Sequence, residues 1–298
     1  MNITQQGFRT NIVSTVFDLS GKMLLKMTLA YLLYYIAVII IMIPCLIYIF
    51  GFSMDTLSAL MEGDQQAITE WAQEYSQLFI SGGFKKFIGP FVAVLIIIMI
   101  VYSWAYNLFF IISGEQIVHG KTDFGAALKI SFSKTVWEIL ALTFIILLIF
   151  GAVIAIVAGI GTITDSGLAV FLFSCIACVF LLRFSLLFPA LAHGEMPLVE
   201  TFNYSLHHIT WLRAMKLFGV GILAFVCILL AAVIVGIISN LFAMIPAVGL
   251  VFNQAINIFF GGYMTALMIA GMSGLYYRYA PDIDSEEMKI EDHLITEE

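Results

Sequence analysis

The chain has 298 residues, of which 62% are hydrophobic and 11% charged, with a mean hydropathy of +1.04 and a net charge of −7. A soluble domain carries about a quarter charged residues and cannot hide this much apolar surface, so a soluble globular fold is excluded. The last stretch, Asp282 to Glu298, sets eight acids against Lys289 and His293, which excludes a polybasic nucleic-acid surface and a tail that clings to anionic lipid.

The elements read in chain order as follows. Phe8 to Leu19 carries an apolar face of Ile12, Val13, Val16 and Phe17 and reads as a short amphipathic element. The apolar run that follows is too long for a signal-peptide core and has no small-residue cleavage pattern, so it reads as a first span. Runs of roughly 20 apolar residues suffice to cross a bilayer. On that rule the spans fall at about 24–52, 87–113, 136–160, 166–191, 214–240 and 249–277. Between the first two, Leu57, Leu60, Met61, Ile68, Trp71, Tyr75 and Leu78 recur at helical steps opposite five acids, which predicts an amphipathic helix ended by Gly82-Gly83. Phe124, Leu128, Phe132 and Thr135 predict a short helix before the third span, capped by Thr122 or Asp123. Leu198, Phe202, Leu206 and Ile209 predict another before the fifth, with Pro197 in its first turn. Gly161 to Gly167 turns the third span into the fourth, and the segment around Pro246 turns the fifth into the sixth.

Two of these pieces match each other. His119, Gly120, Ser131 and Trp137 recur as His193, Gly194, Ser205 and Trp211 at a constant offset of 74 residues, and the apolar positions between them agree in kind. Such a match predicts duplicated units, 119–191 and 193–265, each a short helix feeding a membrane hairpin. The N-terminal segment agrees with them only in its order of elements. The fold class expected is therefore all-α, a polytopic membrane helical bundle of about six spans in hairpin repeats with short amphipathic interfacial helices. One transmembrane domain is expected over 1–280, with an insertion at 53–86 and an acidic tail at 281–298.

Lysine and arginine set the orientation. With both termini cytoplasmic, eleven of them lie on that side and only Lys85 and Lys86 lie outside. The bilayer is the expected partner, and other membrane proteins are candidates.

Little in the spans suggests chemistry. Arg183 is the one charge deep in a span, and it is expected to turn to the cytoplasmic face, near Glu115, Glu195, Glu200 or a lipid phosphate. Asn253 and Asn257, one turn apart on the sixth span, and Asn107, in a polar patch with Tyr102, Ser103 and Tyr106 on the second, either join helices or line a polar cavity. These four, Arg183, Asn107, Asn253 and Asn257, are the candidate ligand-binding residues. His119, His193, His207 and His208 have no carboxylate or thiolate at ligand spacing, so no metal is expected. Cys45, Cys175, Cys178 and Cys227 read as small buried hydrophobes. No nucleophile elbow, metalloprotease motif, P-loop or aspartate pair occurs, so neither an enzymatic activity nor a cofactor is expected.

The run Arg183-Phe-Ser-Leu-Leu-Phe-Pro-Ala190, the two short helices that end near a serine, and the closing Leu275-Tyr276-Tyr277-Arg278 resemble a loose group of bacterial six-helix inner-membrane proteins of unknown function. That group is similar to the membrane domain ahead of some glycerophosphodiester phosphodiesterases and to YciC-type proteins. The catalytic domain of the phosphodiesterases is absent here, and an arginine follows the tyrosines where the group has aspartate. The resemblance, over about 85–280, implies a bacterial inner-membrane location and supplies no agreed activity. The reading is a non-enzymatic scaffold or envelope-associated partner, with a transporter or permease for a small solute or lipid as the alternative.

In a background freed of native cysteines, a cysteine at Gln66 should react with a membrane-impermeant reagent in intact spheroplasts. A cysteine at Ser285 should react only after lysis, and the reverse pattern would overturn the orientation.

Overall fold

The computed structural model describes residues 3–50, 88–194, 196–243 and 249–279, together with Ser58, Gln66, Thr69, Glu70, Ala72, Gln73 and Ser76. The elements are α1 (Ile3–Thr10), α2 (Ile12–Phe50), α3 (Ile88–His119), α4 (Phe124–Ile130), α5 (Thr135–Thr164), α6 (Gly167–Leu182), α7 (Leu187–Gly194), α8 (Leu198–His208), α9 (Trp211–Ala243) and α10 (Gly249–Tyr279). No strand occurs among the described residues. Six stretches are long and apolar enough to cross a bilayer: Ile12–Cys45, Ile88–His119, Thr135–Thr164, Gly167–Gly194, Trp211–Ile238 and Val251–Tyr279. Their apolar residues run right round the helix, as expected where lipid is the solvent. The protein is an all-α, polytopic integral membrane protein. The acidic tail, the turn around Pro246 and most of the amphipathic segment expected over 57–78 lie outside the described residues.

The chain forms two compact units, Met1–Leu32 with Trp104–Glu298, and Leu33–Ser103. The smaller holds the far part of α2 and the first part of α3. Pro44 lies inside α2 and removes one backbone donor, a loss that long apolar spans tolerate.

The larger unit shows why its helices start and stop where they do. Asp123 caps α4 by accepting from the amides of Gly125 at 2.9 Å and Ala126 at 3.3 Å, while Thr122 turns inward and donates to the Ile112 carbonyl at 3.1 Å. Gly120 ends α3 with a φ of +70°, a conformation that suits a residue without Cβ. The hairpin between α5 and α6 is tighter than Gly161 to Gly167, because α5 runs on to Thr164. Asp165 adopts the left-handed conformation, and Ser166 caps α6 through the Ala169 amide.

Three differences from the sequence reading have physical causes. The segment Ile12–Leu19 is part of the long helix α2, and the separate short helix is Ile3–Thr10. The fourth span, read as continuous, breaks between α6 and α7. Pro189 cannot donate to the Ser185 carbonyl and its ring crowds that group, so the chain tightens one turn earlier. The amides of Arg183, Phe184, Ser185 and Leu187 bond three residues back, to Phe180, Leu181, Leu182 and Phe184. Of the cysteines only Cys45 is buried; Cys178 and Cys227 are exposed on spans, where lipid bathes them.

A short helix precedes a long one three times, as α1–α2, α4–α5 and α8–α9. Each short helix packs against a different span end: α1 on α10, α8 on α7, and α4 against α3 through Trp104 and Asn107. The α1 contact rests on Phe8, fully buried against Gly274, where a Cβ would come within 2.8 Å of the ring. Further along α10, Gly262 lets α2 approach so closely that a Cβ there would stand 2.6 Å from the Thr28 Cα.

That contact is with backbone, so Gly262→Ala must move a helix. It is expected to cost about 1–3 kcal/mol. Gly271 has open space around its Cβ direction. Gly271→Ala is expected to leave thermal unfolding in detergent unchanged or to raise it slightly.

Candidate functional site

Polar side chains in the larger unit gather where the short helices meet the span ends. The first group surrounds the break in the fourth span. The Ser205 hydroxyl, on α8 and fully buried, donates to the Arg183 carbonyl at 2.7 Å and accepts from the Leu186 amide at 3.3 Å. It thereby satisfies one orphaned carbonyl of α6 and one orphaned amide at the start of α7. Arg183 reciprocates. Its Nε donates to the Ile209 carbonyl and its Nη2 to the Leu206 carbonyl, both at 3.1 Å, and its guanidinium lies 5.0 Å from the Trp211 ring centre.

Among the described residues the partners of Arg183 are thus backbone carbonyls at the end of α8 and not Glu115 or Glu200. Glu195 lies outside the described residues, and the ion pairs Lys22–Asp18 and Lys134–Glu138 lie elsewhere. A helix C-terminus presents several unpaired carbonyls, a target for a cation that sequence spacing does not reveal.

Asn107 does the corresponding work for α4. Its amide donates to the Ser131 carbonyl at 3.0 Å and to Ser133 Oγ at 3.3 Å, while the Trp104 indole donates to Ser131 Oγ at 2.9 Å. Trp104 also stacks on Phe132. Asn257 donates to Asn253 at 3.0 Å along α10, and Asn257 is exposed. Asn107 and this pair are not brought together. Tyr106, beside Asn107, reaches Met268, and Asn257 lies roughly 16 Å further along the α10 axis.

The second group was not legible in the sequence. Ser113 of α3, His193 of α7 and Ser273 of α10 meet in the interior. Ser113 donates to Ser273 at 3.0 Å, and His193 Nε2 hydrogen-bonds Ser273 at 3.0 Å. Both serines are fully buried. Phe110 meets the imidazole edge-on at 5.4 Å, and Tyr277 covers it at 5.3 Å. Gly114 makes room for the ring, because a Cβ there would stand 3.1 Å from Nδ1. The available signal was a Ser-Gly pair on each of two spans, Ser113-Gly114 and Ser273-Gly274, in which the serine bonds and the glycine admits a ring. His119, the counterpart of His193 at the constant offset, is exposed and merely ends α3.

Outside the spans, the last turn of α8 carries an aromatic cluster. Tyr204 lies 4.2 Å from His208 and 5.8 Å from Tyr276, and His208 lies 5.8 Å from Tyr279. Arg213, at the start of α9, donates to the His208 carbonyl at 2.6 Å and covers the Tyr279 ring at 4.8 Å. Among the described residues no three of His, Cys, Asp and Glu come together closely enough to hold a metal ion. No family model, curated protein or solved structure matches this chain.

Burial, with the neighbouring Tyr276 phenol adding to it, raises the Tyr204 phenol from 10.0 to about 12. A raised pKa in the folded state means that its contribution is complete below the unfolded value and disappears as pH climbs through the folded one. The docking of α8 is therefore expected to weaken between pH 10 and about 12. The Tyr204 hydroxyl is buried and has no hydrogen-bond partner among the described residues. Tyr204→Phe is thus expected to stabilise by about 1 kcal/mol at neutral pH, because it removes an unpaired group. It should also reduce the alkaline loss, read as protease access to α8 across that pH range.

Proposed function

We propose that the chain is a non-enzymatic scaffold of the bacterial cytoplasmic membrane, with both termini inside and its short helices forming a partner-binding layer on the cytoplasmic side. The observation that carries this reading is the use made of the polar groups that enter the spans. Asn107 and Arg183 both hold the ends of short helices, at Ser131 and at Leu206 and Ile209. Fixing α4 and α8 so firmly suits a surface that must keep its shape. The outer side of α8 offers Val199, Glu200 and Asn203, all exposed. The resemblance to bacterial six-helix inner-membrane proteins supports the location, and the excess of lysine and arginine on one side supports the orientation. The match of 119–191 with 193–265 supports an origin by duplication.

A transporter for a small solute or lipid is the second reading. The observation that favours it is the exposed Asn257 amide on an intramembrane helix, bonded to Asn253.

One pair of measurements separates the two. A photo-crosslinking residue at Asn203 should trap a single recurrent membrane or cytoplasmic protein in cells. Arg183→Leu, which unpins α8, should reduce that product at least severalfold while the protein still inserts. Purified protein in vesicles should pass no solute faster than empty vesicles. Solute flux that Asn257→Leu abolishes would overturn the scaffold reading.

A further inference from the structure

Arg183 is turned inward, but the next arginine along the chain is turned out. Arg213 is exposed, yet its guanidinium is held at two points, by the His208 carbonyl at 2.6 Å and by the Tyr279 ring at 4.8 Å. An exposed arginine ordinarily loses much rotamer freedom when it binds a ligand; this one is already fixed. One contact to a carbonyl leaves most of its five N–H donors available. Lys216 follows one turn later on α9, and Arg278 precedes Tyr279 on α10; both are exposed, as is His207. The ion pairs Lys22–Asp18 and Lys134–Glu138 use none of these cations. The group lies where two spans end, Trp211–Ile238 and Val251–Tyr279, and Trp211 is 49% exposed beside it. That depth is the headgroup layer, where indole rings settle and the most abundant anion is lipid phosphate.

We propose that the corner made by Arg213, Lys216 and Arg278 is a binding site for the phosphate of a glycerophospholipid with a net negative headgroup. Arg213 supplies the fixed, directional donors, and Lys216 and Arg278 supply charge. Tyr279 holds Arg213 from below and does not itself touch the phosphate. The site does not depend on the scaffold reading, since a transporter would hold a boundary lipid at the same corner.

The full chain in neutral detergent is offered equal amounts of phosphatidylglycerol and phosphatidylcholine with identical acyl chains, and retained lipid is counted by native mass spectrometry. Retention of phosphatidylglycerol is expected to exceed that of phosphatidylcholine by about tenfold, because both offer the phosphate to Arg213 but the choline ammonium of phosphatidylcholine is repelled by Lys216 and Arg278. Arg213→Gln is expected to remove most of that preference, and Arg213→Lys to keep part of it. Lys129→Gln changes an exposed cation on α4 and is expected to leave the preference intact. Thermal unfolding of each variant reports whether it is folded. If Arg213→Gln unfolds the chain, Lys216→Gln with Arg278→Gln tests the same corner without removing the His208 contact. Equal retention of the two lipids would overturn the proposal, as would an equal loss in Lys129→Gln. Displacement of phosphatidylglycerol by millimolar glycerol phosphate or inorganic phosphate would show a site for soluble anions and would also overturn it. A preference that emerges only after removal of residues 280–298 would assign the corner to the acidic tail instead.

Discussion

A helix that breaks inside a membrane bundle leaves carbonyls and amides where water does not reach, and each one left unpaired costs about 1–3 kcal/mol. Pro189 makes such a break in the fourth span, and much of the larger unit follows from how the break is repaired. The Ser205 hydroxyl fits between the Arg183 carbonyl and the Leu186 amide and serves both. A hydroxyl can do this because it donates and accepts through one small atom; an alanine or valine there would leave two backbone groups unpaired. The repair sets the position of α8, because Ser205 has to lie against the break. The start of α9 follows α8 after only Ile209 and Thr210.

The three short helices are held by different means, and the difference follows from what they meet. α8 meets a broken span, so it exchanges backbone contacts with Arg183 in both directions. α4 meets the unbroken α3, whose own backbone is satisfied, so only side chains are available. Trp104 and Asn107 supply them, reaching the Ser131 hydroxyl and carbonyl. α1 meets α10 where Gly274 leaves a depression, and Phe8 fills it with apolar contact. The serine shared by α4 and α8 is therefore buried in both places but bonds differently. Ser131 accepts from an indole and donates within its own helix to Leu128, whereas Ser205 bridges two segments of another span.

Hydropathy made the fold class and the six spans readable, because length and uniform apolarity suffice to identify them. Their ends were harder. α2 begins at Ile12 because Asp18, Lys22 and Lys26 sit on a continuing helix, where Lys22 pairs with Asp18 at 2.7 Å and Lys26 reaches the Thr122 carbonyl at 2.6 Å. Charge in sequence marked a boundary that the backbone does not make. The break in the fourth span was announced by Pro189, but a proline near a span end is also compatible with an intact helix, and only the tightened turns decide. Arg183 was conspicuous and its partner was not, since a carbonyl belongs to every residue type. The meeting of Ser113, His193 and Ser273 was hidden for the opposite reason. Each residue is ordinary on its own helix, and the group exists only because three span ends converge.

The end of α8 explains why two arginines so close in the fold behave differently. A helix C-terminus carries several unpaired carbonyls and the negative end of the helix dipole. Arg183 approaches that end from the bundle interior and takes the Leu206 and Ile209 carbonyls, while Arg213 approaches from the surface and takes the His208 carbonyl. Each guanidinium also covers an aromatic ring, Trp211 for one and Tyr279 for the other. A lysine in either place would bring the charge without the planar face or the paired donors, so it would neutralise the helix end without holding the ring. The half-buried arginine uses two of its N–H donors on carbonyls inside the fold. The surface arginine keeps donors in reserve, and that asymmetry, set by which side of α8 each residue reaches, distinguishes a structural cation from one able to meet an anion in the headgroup layer.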